Sequence, residues 1–320
     1  MRWLIALLSL IPICLSGAEA KWIHATSAHF DMYTDNSDGD AKAALVRLET
    51  SRAFFLNAIH AHDPGNQSVR IVAFKGDADY SKYKPADVRT AKAFGLAPAT
   101  VVVQDLKPDT FDQLFREYAQ LALDDSGPTL PYWFRAGLAA VYSTMKPGDK
   151  GIDLGALPRS DLRNGQAANV SLPLLFSVNR ETFLASRENG AAAEFSSGTG
   201  NAALGARAVA LDSLQGTLGQ SQDFARSAWL LVHMLIFQQE YRPKFGEFLR
   251  TLAGGMETGT AFGKVYAAPL SKIQTDLVRY SEQTGLMIMT APFKFEMPSP
   301  PVVKPATKEE QDKVFAELKR

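Results

Sequence analysis

Phe111 to Tyr142 reads FDQLFREYAQLALDDSGPTLPYWFRAGLAAVY. Apolar Leu114, Tyr118 and Leu121 recur at helical spacing, so the first part is expected to form an amphipathic helix. Thr110, with Gln113 three residues on, has the spacing of a capping box and would open that helix. Gly127-Pro128 breaks it. Pro131 then stands where a second helix begins, because proline loses nothing at a helix start and fits its φ. The decisive element is therefore a pair of helices joined by a short turn. Asp124-Asp125 closes the first helix and reads as a solvated end rather than a carboxylate dyad.

Upstream, the pattern changes to period two. His29 to Thr34, Val69 to Phe74 and Ala99 to Val103 read as strands. Asp35-Asn36-Ser37-Asp38-Gly39-Asp40 has the acidic spacing of a calcium loop, but Gly39 takes the fifth position and no acid stands at Leu45–Arg47 to close it. It reads as a turn and helix N-cap. The helix that follows puts Leu45, Leu48, Phe55 and Ile59 on one face. A polar loop with Tyr80, Tyr83 and Pro85 separates the second and third strands.

Downstream, residues 150–157 read as a short strand, and the pattern weakens from Ser160 to Leu211. Helical periodicity returns at Asp223, where Ala225, Trp229, Val232, Leu235 and Ile236 share a face. It continues over Pro243–Leu252 and Leu270–Tyr280. Phe293 to Pro305 is proline-rich and extended, and Thr307-x-x-Glu310 caps a last helix carrying Val314, Phe315 and Leu318.

The first residues form an export signal. Met1-Arg2 is a short positive start, Trp3 to Leu15 is apolar, and Ala18-Glu19-Ala20 fits the cleavage rule, so residues 1–20 are removed and the mature chain begins near Lys21. Cys14, the single cysteine, lies inside that signal, so thiol catalysis is excluded from the mature protein and no disulfide holds it. An exported chain without disulfides points to the bacterial periplasm, or to the extracellular space. Lys+Arg and Asp+Glu both number 34, which argues against nucleic acid as a partner. The longest later apolar run, Ala228 to Phe237, is about half the ~20 residues a spanning helix needs, so no integral membrane protein is expected. There is no Gly-x-Ser-x-Gly nucleophile elbow, and Ser196-Ser197-Gly198-Thr199-Gly200 lacks phosphate-loop spacing.

Several landmarks in this order resemble the bacterial peptidase MA-like family, exported gluzincin (thermolysin-like) metallopeptidase homologues. Ser27 to Asp35 looks like its opening strand, and Arg116-Glu117-Tyr118-Ala119-Gln120 falls where the family has His-Glu-x-x-His. Pro131-Tyr132-Trp133-Phe134-Arg135-Ala136-Gly137-Leu138-Ala139 looks like its Pro-x-Trp-x-x-Glu-Gly-Leu-Ala helix. Phe224 to Trp229 resembles its Tyr-x-x-Ser-Trp element, and residues 241–282 its closing helices. The resemblance implies an α+β fold: a small N-terminal mixed β-sheet with a long helix, followed by a mainly helical thermolysin-like subdomain. It divides the chain into a domain over 21–285, with an α/β part over 21–105 and a helical part over 106–285. Residues 286–320 follow as a proline-rich linker and short helix.

In the family two histidines and a glutamate hold zinc, and the motif glutamate acts as general base. The resemblance puts the ligand positions on Arg116, Gln120 and Ala136. A guanidinium has no lone pair to give, an amide oxygen is a weak ligand and a methyl group is none. His24, His29, His60, His62 and His233 lack metal spacing. The expected cofactor is therefore none, although zinc belongs to the family. Glu117 remains as the general-base position, or as a helix residue paired with an arginine. Tyr118, Trp133 and Arg135 are expected on the wall of the old cleft. The chain is expected to be a metal-free pseudo-peptidase with a peptide or protein segment as partner. The alternatives are an active secreted zinc peptidase with a relocated metal, and a structural envelope protein without ligand.

Overall fold

The computed structural model describes residues 22–61, 68–83, 93–96, 99–125, 129–158, 171–178, 222–283 and 285–319. The expected export signal, His62, Pro85, Gly127-Pro128, Ser196–Gly200 and most of Ser160–Leu211 lie outside these residues.

The fold is α+β, with an N-terminal mixed sheet followed by a mainly helical region. Strands β1 (Ile23–Thr26), β2 (Phe30–Thr34), β3 (Val69–Ala73), β4 (Ala93–Leu96), β5 (Thr100–Val103) and a late strand, Val302–Pro305, form one sheet. β2, β3 and β5 run parallel at its centre, with Met32 opposite Ile71 and Ile71 opposite Val101. β1 joins β2 antiparallel, and β4 joins β5 antiparallel at one edge. The central strands are buried on both faces, as parallel strands are. Phe30, Met32, Ile71, Val101 and Val103 face a core shared with the helices α1 (Asp38–Ala58) and α3 (Pro108–Asp125). Tyr33, Val72, Phe74, Phe94 and Val102 face a second, smaller core.

The expected N-cap is in place at the start of α1. Ser37 accepts a hydrogen bond from the Asp40 N–H, and Asp38 and Asp40 sit in the first turn, where the helix dipole favours acids. Leu45, Leu48, Phe55 and Ile59 are all buried as their spacing required.

α3 departs from its expected start. It begins at Pro108, so Thr110 lies inside the first turn and does not cap it. Proline at the first helical position and Asp105, whose carboxylate accepts from the Lys107 N–H, set the boundary instead. α4 (Tyr132–Ser143) starts directly behind Pro131.

The helical region continues with α5 (Leu172–Ser177), α6 (Gln222–Phe237), α7 (Phe245–Ala253), α8 (Thr258–Tyr266) and α9 (Leu270–Ser281). The short helix Asp77–Tyr80, α2, precedes them on the sheet side. α4 packs directly on α6, and Gly137 is what lets them approach. A Cβ there would lie 2.5 Å from both the Ala228 carbonyl oxygen and Val232 Cγ2. Among the described residues no helix is long and apolar enough to cross a membrane.

The segment 286–320, expected as a linker and a helix, is integrated into the fold. β6 (Lys146–Gly148), β7 (Gly151–Leu154) and β8 (Met289–Ala291) make a second sheet, so the first part of the segment pairs with β7. β9 (Val302–Pro305) then adds to the edge of the main sheet beside β1. Its proline suits an edge position, where one row of donors faces away from the ladder. Helix α10 (Lys308–Glu317) follows. Its Thr307/Glu310 capping box is complete, and Val314 and Leu318 are buried against Trp22 and Phe74 in the second core. Thr307 N–H and Lys304 together hold the Glu310 carboxyl down at about 2. Arg70 of β3 reaches Glu317, tying the helix to the sheet.

Candidate functional site

Glu117 is half-buried on α3, under the edge strand β4. Gly95 stands opposite Val101 in the ladder, and its N–H donates to Glu117 Oε2 at 3.1 Å. A Cβ on Gly95 would come within 3.2 Å of that oxygen, so glycine permits the approach. Tyr80 lies in the field of the same carboxylate. Burial, reinforced by the charge of Glu117, pushes its phenol well above the ordinary tyrosine value. The carboxylate and an edge-strand N–H thus meet where α3 crosses the sheet edge, with the buried Tyr80 phenol within the carboxylate's field.

The other expected residues are placed differently. Tyr118 is buried between α3 and the sheet, with Phe30 and Phe115 against its ring at 5.2 and 5.4 Å. Trp133 has no exposed surface. It packs on Phe134 and Phe176, and its indole N–H donates to Thr258 Oγ1. Both are core residues, not cleft wall. α4 turns Trp133 toward α5 and α8 because that is the apolar side on which it is packed. Arg135, half-buried, forms an ion pair with Asp124 at the end of α3. Asp124, at the exposed end of α3 as expected, also pairs with α4 through Arg135.

The positions that the family resemblance assigns to metal ligands do not fit zinc. Arg116 and Gln120 stand one helical turn apart on α3, and Ala136 is on α4. Guanidinium, amide and methyl offer no set of strong donors. Among the described residues no group of three or more His, Cys, Asp or Glu side chains is arranged to hold a metal. His24 bonds to Asp31 on the adjacent strand. His29 Nδ1 meets Glu49 at 2.7 Å, and Glu49 also accepts from Ser27 Oγ and the His29 N–H, so this cluster pins the β1–β2 turn to α1.

His233 is fully buried on α6. Its Nε2 lies 3.0 Å from the Gly155 carbonyl oxygen, which can only accept, so Nε2 carries the proton and Nδ1 accepts from the Tyr280 hydroxyl at 2.7 Å. Phe237 stacks on the ring at 4.2 Å. Burial pulls its pKa down to about 4, against the opposing pull of the Gly155 and Met287 carbonyls.

Gly95 and Tyr80 were not singled out as site residues by the sequence. The available signal was the glycine in the short run Ala93-Phe94-Gly95-Leu96, which marks close approach by another group. The chain matches no protein-family model, no curated protein and no solved structure.

Proposed function

We propose that this chain is an exported, metal-free pseudo-peptidase of gluzincin type that holds a peptide or protein segment in extended form along β4. The observation that carries the reading is the Glu117–Gly95 contact. It sets the helix with the degenerate motif directly beneath β4, an edge strand among the described residues, whose main-chain groups other than the Gly95 N–H suit strand addition. The mixed sheet followed by helices agrees with the resemblance in the α3 and α4 motifs. With a guanidinium, an amide and a methyl group at the ligand positions, Glu117 has no activated water to deprotonate. Its work is to hold the Gly95 N–H.

Binding of an unstructured peptide library to the full chain tests this. Gly95→Leu puts a bulky side chain against Glu117 Oε2 and is expected to weaken binding about tenfold, with the fold kept because Gly95 is exposed on an edge. Stoichiometric zinc in the purified protein, with peptide hydrolysis that Glu117→Gln abolishes, would sink the proposal in favour of an active peptidase.

A second reading, an envelope protein without ligand, draws support from the burial of Tyr118 and Trp133, which removes two aromatic residues from any cleft surface. Failure of every library peptide to bind would favour it.

A further inference from the structure

The C-terminal helix α10 is fastened to the main sheet around one imidazole. His24 of β1 is 13% exposed, and its ring lies flat on Tyr33 of β2 with the centroids 4.3 Å apart. Its two nitrogens face carboxylates on different elements. Nε2 bonds to Asp31 on β2. Nδ1 is buried without a hydrogen bond and lies 3.5 Å from Glu310 Oε1 in the first turn of α10.

A neutral imidazole carries one N–H and can serve only one of these carboxylates. Whichever nitrogen holds the proton, the other turns a lone pair to an oxygen that only accepts. A second proton makes both nitrogens donors, and the contact with Glu310 can then close from 3.5 Å to the ~2.8 Å of a charge-assisted hydrogen bond. Glu310 Oε1 already accepts from Lys304 at 3.0 Å, but a carboxylate oxygen has a second lone pair to offer. The charged and titratable surroundings are Asp31 and Tyr33 on β2, Arg70 on β3, Lys304 on β9, and Glu310 and Glu317 on α10. Three carboxylates against two cations leave a net negative field, which attracts an added proton. Tyr33, beneath the ring, feels the same field. Burial first, then Asp31 and Glu310, push its phenol above the ordinary tyrosine value.

We propose that His24 is a proton-operated latch on α10: the imidazolium bridges Asp31 of the sheet and Glu310 of the helix, and loss of its second proton loosens the helix. The latch covers the second core. Val314 and Leu318 are buried there, and Phe315 meets Trp22 edge-on at 4.9 Å and stacks on Tyr83 at 5.4 Å. Glu310, held down at about 2 by the Thr307 N–H and Lys304, stays ionised across the histidine range. Docking of α10 is therefore firmest on the acid side of that range and weakens as pH rises through it. The sense is opposite to that of His233, whose burial resists a proton. The latch does not depend on the peptide reading, since none of the groups around His24 belongs to β4 or α3.

Hydrogen exchange of the full chain tests it, read as protection factors of the α10 amides at about pH 5.5 and about pH 8, either side of the ordinary histidine value of about 6.5. Protection of α10 is expected to be about tenfold higher at the lower pH, the worth of one hydrogen bond to a charged group. Amides of α6 are the reference and should gain no protection in acid. His24→Gln keeps an N–H for one carboxylate but cannot take a second proton, and should shrink the difference to about twofold or less. Glu310→Gln should do the same. Glutamine serves at that position of a capping box, so the start of α10 is kept, and this variant keeps the test valid if the His24 variant misfolds. Protection of α10 that is equal at the two pH values or greater at the higher one, or an acid gain that persists in either folded variant, would overturn the proposal.

Discussion

Gly137→Ala is expected to destabilise the protein by about 3 kcal/mol, the upper end for overpacking a tight contact. The added Cβ would stand 2.5 Å from the Ala228 carbonyl oxygen and 3.0 Å from its carbon, which are backbone atoms of α6 that cannot rotate away. It would also stand 2.5 Å from Val232 Cγ2. Relief requires α4 and α6 to separate, and that opens the main core around Trp133, Leu138 and Trp229. Thermal unfolding should show a midpoint lower by roughly 6–12 °C. Gly263→Ala on α8 is the matched control. It too is a helical glycine, but a Cβ there meets nothing within 4 Å, so alanine should be neutral or stabilise by up to about 1 kcal/mol. Equal shifts for the two variants would show that helix propensity, not the α4–α6 contact, sets the response.

The second large effect is a loss of stability in acid through His233. Its folded pKa of about 4 lies below the unfolded value of about 6.5. Between those values the unfolded chain binds a proton that the folded chain refuses. Stability is therefore full above pH 6.5 and falls as pH drops toward 4, by about 3 kcal/mol across the window. The cost has a structural cause. A second ring proton would place a charge out of water beside Trp229 and Phe237, and the Tyr280 hydroxyl would have to turn from donor to acceptor. Urea unfolding at pH 7.5, 5.5 and 4.5 should show His233→Gln losing less stability over this range than the wild type, although it starts from a lower value. Identical pH slopes would remove His233 as the cause.

Much of the frame was legible because it rests on long periodic segments. α1 buries the stripe its spacing marks, α3 buries Leu114 and Tyr118 of its own with Leu121 partly covered, and β2, β3 and β5 are the β-rich runs that a parallel sheet places at its centre. The missed parts are short or carry residues that argue against their state. β4 has four residues, one of them Gly95, and β9 ends on Pro305. Each exists because a neighbouring strand offers a ladder, which is a tertiary fact. α8, with Gly259 and Gly263 in nine residues, is helical because Phe262 and Val265 bury against α7 and its neighbours and because Glu257 caps it.

The same division holds at the site. Glu117 could be marked from the outline of the motif helix. Its contacts with Gly95 and its effect on Tyr80 join residues far apart in sequence, and nothing local encodes them. Trp133 and Tyr118 show the converse. Aromatic residues beside a motif suit either a cleft or a core, and only the packing of α4 and α3 decides that they are core.

We propose that α3 and α4 keep the frame of a zinc site whose ligands have been replaced. Restoring Arg116→His, Gln120→His and Ala136→Glu together, then measuring bound zinc by elemental analysis after dialysis, tests that claim most directly. The account predicts no zinc in the wild-type chain and about one zinc per chain in the folded triple variant, as three protein ligands with an open fourth position require. A folded triple variant that binds no zinc, or a wild-type chain that carries one, would contradict it.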